Sequence, residues 1–448
     1  MTSTHASKTS SSACWPPAEL TVPLPQRFAV KRGYVVTGLG VGQILSWGST
    51  YYLLAVLAGP IATDTGWTNS LVVSGVSVAL VIAGLGSPRV GSLVAGNRGR
   101  AVLVTCALLL ALGLATLALA PNQWVYLGAW AILGLGMSGG LYSGAFAVLG
   151  HTYGVSARST ITMLTLFGGF ASTICWPLSS LLVNELGWRG TAFIYAAAHL
   201  LITAPLYALT VPRKPEAPAP DATPHATSTA VRPGSIGVGA ARPAAPRWPV
   251  IALVAVISTL CTSIAALMSV HMFSLLAGIG IAGAAAVVLA STIGPSQVGA
   301  RLIELLIGRR HHPLWTMLAA TLAMALGITF LGAGILAPAV LVIVYGIGIG
   351  LTSIANGTVP LAIFGRENYA RIMGRIGLPS LLGQAAAPIV GSLLIHKLGP
   401  SDTLVVLGLA SLLAFGLAVW LLLLQRRGHR PAALGPGMKN DADTALRR

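Results

Sequence analysis

AVLVTCALLLALGLATLALA occupies residues 101–120. It is twenty residues long and carries no charge. Coiled as an α-helix it would be about 30 Å long, the thickness of the hydrocarbon layer of a bilayer. Arg98 and Arg100 precede it, and Pro121-Asn-Gln-Trp124 follows. A basic loop, an apolar run and a short polar turn are what a membrane span needs in order. The same pattern recurs outward in both directions. The apolar runs before the chain's midpoint are 34–59, 70–94, 101–120, 124–149, 159–183 and 189–210. Those after it are 248–274, 281–306, 314–334, 337–360, 372–395 and 402–424. The expected fold is an all-α membrane protein with twelve transmembrane helices.

Composition agrees. Of 448 residues, 55% are hydrophobic and 8% are charged, and the mean hydropathy is +0.80. A soluble domain carries about 25% charged residues, so this chain cannot cover its surface against water. The net charge of +17 would elsewhere suggest nucleic acid. Here the basic residues sit between apolar runs, so no nucleic-acid partner is expected and the charges read as topology signals. Loops and tails on one side hold 23 of the 27 Lys and Arg, against Arg189 and Lys397 on the other. Both termini are therefore expected in the cytoplasm. Residues 1–32 read as a disordered tail without a signal peptide. Residues 211–247, rich in Pro, Ala and Thr, read as a cytoplasmic linker, and 426–448 as a second tail. The bundles are then 33–210 and 248–425. Cys14, Cys106, Cys175 and Cys261 show no metal or disulfide spacing and read as packing residues.

The two halves share local strings. Ser180-Leu-Leu-Val-Asn-Glu-Leu-Gly187 matches Ser392-Leu-Leu-Ile-His-Lys-Leu-Gly399 at an offset of 212 residues. Gly86-Ser-Pro-Arg-Val-Gly91 matches Gly294-Pro-Ser-Gln-Val-Gly299 at 208. Two pairs at nearly one offset imply two parallel six-helix repeats, pseudo-symmetric about an axis along the membrane normal. In such arrangements the binding site lies between the repeats.

Gly91-Ser-Leu-Val-Ala-Gly-Asn-Arg-Gly-Arg100 resembles the loop signature of the major facilitator superfamily, Gly-x-Leu-x-Asp-Arg-x-Gly-Gly-Arg. Gly91, Leu93, Gly99 and Arg100 match, whereas Ala95 stands at the acidic position and Gly96 at the following basic one. Any latch on that side must use other groups. The segments 40–52, 167–177, 187–190 and 294–304 add to the resemblance. Together they are similar to a bacterial branch near the monocarboxylate and oxalate/formate carriers. The resemblance implies the major facilitator fold in a bacterial inner membrane. It also implies secondary transport by alternating access, with small organic anions as the suggested substrates. Drug or metabolite efflux is the alternative, and a non-transporting membrane sensor or scaffold is the alternative of another class. The partners expected are a small-molecule substrate and the lipid bilayer, and a monomer is expected to suffice.

Candidate site residues follow from polarity inside apolar runs. Gln43, Trp47 and Tyr51 recur every four residues, so they share one helix face. A buried amide needs partners in hydrocarbon, which makes that face a candidate cavity wall. Tyr142, Ser258, Thr262 and Asn356 are further candidates on the central spans that the resemblance implies. Arg301 and Glu304 are embedded charges, which default to functional hypotheses. Three residues apart, they are expected to pair on one helix face. Arg301 would attract an anion, and Glu304 is the candidate for proton coupling. Gly134-Leu-Gly-Met-Ser-Gly139 has the spacing of a dinucleotide loop, but it lies inside a span and reads as helix packing. His311-His312 lack the further converging ligands that a metal site needs. No nucleophile–base pair, phosphate loop or paired carboxylates appear, so no enzyme activity, cofactor or metal is expected.

Overall fold

The computed structural model describes residues 26–213 and 248–428. Both tails and most of the linker lie outside the described residues. The described residues form helices and no strand. In the first half these are α1 (Gln26–Gly48), α2 (Leu54–Thr65), α3 (Asn69–Leu93), α4 (Gly99–Ala118) and α5 (Gln123–Gly140). They continue with α6 (Tyr142–Tyr153), α7 (Ala157–Gly169), α8 (Ala171–Ala198) and α9 (Ala204–Thr210). The second half holds α10 (Trp248–Gly278), α11 (Gly283–Ser291), α12 (Ile293–Ile307), α13 (Pro313–Ala333), α14 (Pro338–Leu398) and α15 (Pro400–Gly428).

Eight helical stretches are long and apolar enough to cross a membrane. Three contain a residue with positive φ that reverses the chain: Asn97 (φ 61°) between α3 and α4, Gly187 (φ 70°) in α8 and Gly365 (φ 69°) in α14. Each of the three is therefore two segments joined by a tight turn. The repeated strings have a structural counterpart. Gly187 has φ 70° and ψ 175°, and Gly399 has φ 85° and ψ 167°. That region is open almost only to glycine, so both copies end on the same turn for the same steric reason.

Other helices break where the sequence offers small residues. α1 stops at Gly48 and resumes after residues 49–53; α5 gives way to α6 at Leu141, where ψ is −172°. Irregular backbone at membrane depth is tolerated where it is buried in protein or lines a cavity. These breaks do both. The glycines of the 134–139 string lie against α3 and α4, which is the packing role expected of them.

Basic side chains gather at one end of the bundle. Arg32 lies over the ring of Tyr153 at 5.1 Å, Arg375 over Trp248 at 4.8 Å and Arg426 over Trp315 at 5.5 Å. At this end the halves pack closely, with α3 against the second part of α14 and α6 and α7 against α12 and α14. Gly91 is part of the reason: a side chain there would collide with the carbonyl oxygen of Ala370. At the opposite end α1 and α2 do not pack extensively on α10 or α11.

The far end of the first half has its own tie. The Trp188 indole donates to Asp64 at 2.9 Å, and Arg189 also pairs with Asp64. The hydrogen bonds from Trp188 and then Arg189 hold the Asp64 carboxyl below its ordinary range. A group depressed on folding stabilises above its unfolded value, near pH 4, and loses that contribution as pH falls through the folded value. The D64N variant should therefore resemble the wild type in thermal unfolding at pH 3 and fall below it at pH 7. Equal melting temperatures at pH 7 would show that this exposed tie contributes nothing.

Candidate functional site

A cavity of about 340 Å³ lies between the halves. α1 ends beside it. Trp47 sits in the last turn of α1, and Tyr51 and Tyr52 in the break that follows; all three line the cavity. Tyr142 opens α6 just after the α5 break and faces Trp47, with ring centroids 5.0 Å apart. Phe146 stacks on Tyr142 at 5.1 Å. The wall of the first half is therefore aromatic, with hydroxyls at its edges.

Gln43 supports this wall without lining the cavity. Fully buried, it donates to the carbonyl of Gly140 at 2.7 Å and accepts from the Trp47 indole at 3.2 Å. One amide thus satisfies an open carbonyl at the α5 break and fixes the orientation of Trp47. The four-residue spacing correctly grouped Gln43 with Trp47, but the amide faces α5 and Trp47 faces the cavity.

The wall of the second half carries most of the cavity's polar groups, set among apolar side chains such as Met272, Ile349 and Met373. Ser258 donates to Asn356 at 2.9 Å, and Thr262, one turn on, also lines the space. Arg301 enters from α12. It is 4% exposed. Its guanidinium donates to the carbonyl of Thr165 at 2.9 Å, to Ser353 at 3.1 Å, to Gln297 at 3.2 Å and to the carbonyl of Gly350 at 3.5 Å. Every acceptor is neutral. Thr165 belongs to the first half, so this side chain spans both. Among the described residues that line the cavity, Arg301 is the only charged one; no Asp, Glu, Lys or His joins it.

The expected pairing of Arg301 with Glu304 does not form. Glu304 is 6% exposed and turns to the closed end, away from the cavity lining. There it takes Arg158 at 3.2 Å, Thr316 at 2.7 Å and His311 at 3.5 Å. Three residues on one helix face allowed the pair, but Arg158 from α7 reaches Glu304 while Arg301 points up to Thr165. Arg158 also donates to the carbonyl of His311. A second tie joins the halves at this end. Arg366 donates to the carbonyls of His151 and Thr152, at 2.9 and 3.1 Å. Those carbonyls close α6, where unpaired acceptors and the helix dipole favour a cation. The signature loop takes part through Asn97, which meets His151 at 2.8 Å. Ala95 thus stands where the signature has its acid, and Arg158–Glu304 and Arg366 join the halves. Gly91 lies in the α3–α14 contact and Gly99 against Val148. Leu93 is exposed and Arg100 half-buried.

Sequence reasoning missed Gln297 and Gln384 as lining residues. Gln297 precedes Arg301 by one helical turn, and Gln384 is an amide inside an apolar run. The argument that singled out Gln43 applies equally to both.

The model of the Major Facilitator Superfamily matches residues 39–360. The chain belongs to this superfamily. It is therefore a multi-pass membrane protein of a transporter family, and not an enzyme. A curated relative, "Transcription regulatory protein OpdE" of Pseudomonas aeruginosa, is 33% identical over 144 residues. That match covers 31% of this chain and 35% of the relative, so it spans about a third of the relative's length. Solved structures of the superfamily share the fold over most of the chain. The human organic anion transporter MFSD10 (TETRAN) aligns with a TM-score of 0.66 at 18% identity, over 86% of this chain and 99% of its own. The proton:xylose symporter XylE gives 0.61 at 12% identity over 88% and 96%. FucP in its outward conformation gives 0.59 at 14% identity over 88% and 99%.

Proposed function

We propose that this protein is a secondary active transporter that moves small organic anions with a flat, apolar body across a bacterial inner membrane. The observation that carries the reading is Arg301: the lone charge lining the cavity, held only by neutral acceptors. Charged groups within a membrane are expensive and mark substrate pathways. An entering carboxylate would supply the missing counter-charge, and Trp47 and Tyr142 would take its apolar body.

The same side chain supports alternating access. Arg301 holds Thr165 across the interface, beside the closed end. A bound anion competes for those donors and so loosens that tie. Counted as segments divided at their turns, and with α1–α2 as one, the helices come to twelve. The described chain then begins and ends at the basic end, which this reading places in the cytoplasm, with the cavity facing outward. A proton on Glu304 would cancel its attraction for Arg158 and help the inner end to open. The protein acts as a monomer in this reading. Gln43 positions Trp47, and Tyr51, Ser258, Thr262 and Asn356 complete the site.

Efflux of drugs or metabolites is less well supported, because the cavity offers a cation no acidic partner. A second class of function is favoured by one observation, the name of the relative in Pseudomonas aeruginosa. It would make this chain a membrane sensor that binds but does not transport.

A thermal-shift screen of the purified protein in detergent tests the proposal. A ligand at 100 times its dissociation constant stabilises by about 2.7 kcal/mol. Aromatic monocarboxylates such as benzoate should raise the melting temperature, and hydrophobic cations should not. Stabilisation by cations alone would replace the anion reading with efflux. Binding without flux in liposomes would support the sensor.

A further inference from the structure

A buried polar seam runs between α1 and the helices that end the first half. It lies outside the cavity lining. His199 is fully buried there. One ring nitrogen, Nε2, meets the hydroxyl of Ser49 at 2.8 Å. The other, Nδ1, has no partner. The same holds for Thr203 Oγ1, which is also buried. The Tyr207 hydroxyl lies against Gln43 and Ser46. Two unpaired polar groups one helical turn apart in one seam are unusual, because buried groups of this kind normally have partners. The backbone is irregular at the same place: residues His199–Thr203 form a π-helical turn, a feature frequent at functional sites.

Among the described residues, no charged side chain acts on His199. The elements packed on this turn are α1, α4, α8 and α9. The titratable groups they bring to the seam are Tyr195 and Cys175 of α8, Cys106 of α4 and Tyr207 of α9. Arg32 of α1 lies seventeen residues from Ser49, about 25 Å along a helix, and Arg100 lies at the start of α4. Arg189 and Glu185 lie ten or more residues outward in α8, and Arg189 is paired with Asp64.

We infer that His199, with Ser49, Thr203 and Tyr207 around it, is a proton-binding site, and that it passes its charge state to the cavity wall through Ser49. The inference rests on the transport reading above and adds a site distinct from Glu304. Whichever nitrogen carries the proton of the neutral ring, Nδ1 is left unpaired. A second proton, taken from water, makes both nitrogens donors. Nε2–H must then donate to Ser49, whose own hydroxyl proton turns to another acceptor. Nδ1–H needs an acceptor too, and Thr203, four residues on, offers an unpaired hydroxyl. Ser49 sits in the break between α1 and α2. Trp47 lies two residues before it, and Tyr51 and Tyr52 two and three residues after it. A reversed hydrogen bond at Ser49 therefore acts on the residues that form the aromatic wall.

Two ligand-free measurements on the full chain in detergent test this. In ¹⁵N spectra of ring-labelled histidine, one resonance should titrate between pH 3 and 7 and be lost in H199Q. Should H199Q fail to fold, the shift of that resonance in S49A assigns it. Trp47 emission, taken as the difference between wild type and W47F, should change with the same midpoint. S49A should keep the titration and lose the Trp47 change. A His199 resonance that stays fixed from pH 3 to 7 overturns the site. An unaltered Trp47 midpoint in S49A overturns the link to the cavity. Failure of every anion to bind would defeat the transport reading and leave both measurements intact, so the two ideas fail separately.

Discussion

Replacing Arg301 with alanine should weaken binding of benzoate by at least about a hundredfold and abolish uptake into liposomes. Hydrogen bonds to charged groups contribute about 1.5–3 kcal/mol each, and 1.4 kcal/mol is tenfold in affinity. A carboxylate that takes two donors from the guanidinium loses both. Among the described residues, no other cation lines the cavity to replace them. Lysine at this position keeps the charge but not the planar fork that reaches Thr165, Ser353 and Gln297 together, so R301K should fall between wild type and R301A. The melting temperature without ligand separates lost binding from lost folding. R301A protein that binds benzoate within threefold of wild type removes Arg301 from the site.

The second large effect is expected at the closed end. R158A strips Glu304 of its strongest partner while the carboxylate stays 6% exposed. Breaking a buried ion pair by removing one member costs about 3–5 kcal/mol. The lower end applies here, because Arg158 keeps 18% of its side-chain surface exposed. The pair joins the halves, so the loss of about 3 kcal/mol falls on the closed arrangement in particular. It should shift the balance towards an open inner end by roughly a hundredfold. Amide hydrogen exchange over 157–162 and 304–312 should accelerate accordingly. E304Q should cost less, because the amide still accepts from Thr316. The double variant R158A/E304Q should recover part of the R158A loss, since no uncompensated charge remains. Additive losses would mean that the pair does not couple the halves.

The helical membrane fold was legible because the bilayer leaves the chain few options. Each apolar run had to bury its own backbone, so runs such as 101–120 identified themselves by length. The repeat was legible through Gly187 and Gly399, where one backbone conformation demands one residue. The site was legible in kind but only partly in facing. Trp47, Tyr142 and Arg301 do line the cavity, because a polar or aromatic residue in an apolar run has few reasons to be there. The sequence could not reveal that Gln43 faces α5, since that depends on where α5 breaks. Nor could it choose between Arg301 and Arg158 as the partner of Glu304. That choice is made by helices 146 residues apart in the chain, and no local spacing encodes it.

The neutral surroundings of Arg301 have an electrical consequence. With the site empty, the cavity carries an uncompensated positive charge. With a monoanion bound, it carries none. As far as Arg301 and its anion are concerned, membrane voltage in the proposed cycle therefore acts on the reorientation of the empty carrier and not on the loaded site. Moving one elementary charge through the whole field is worth about 2.3 kcal/mol per 100 mV, and a charge that crosses part of it feels that part. A negative interior holds the vacant carrier with its positive site towards the inside. Dissipating the potential should speed its return, so the empty half of the proposed cycle becomes a voltmeter for the cell.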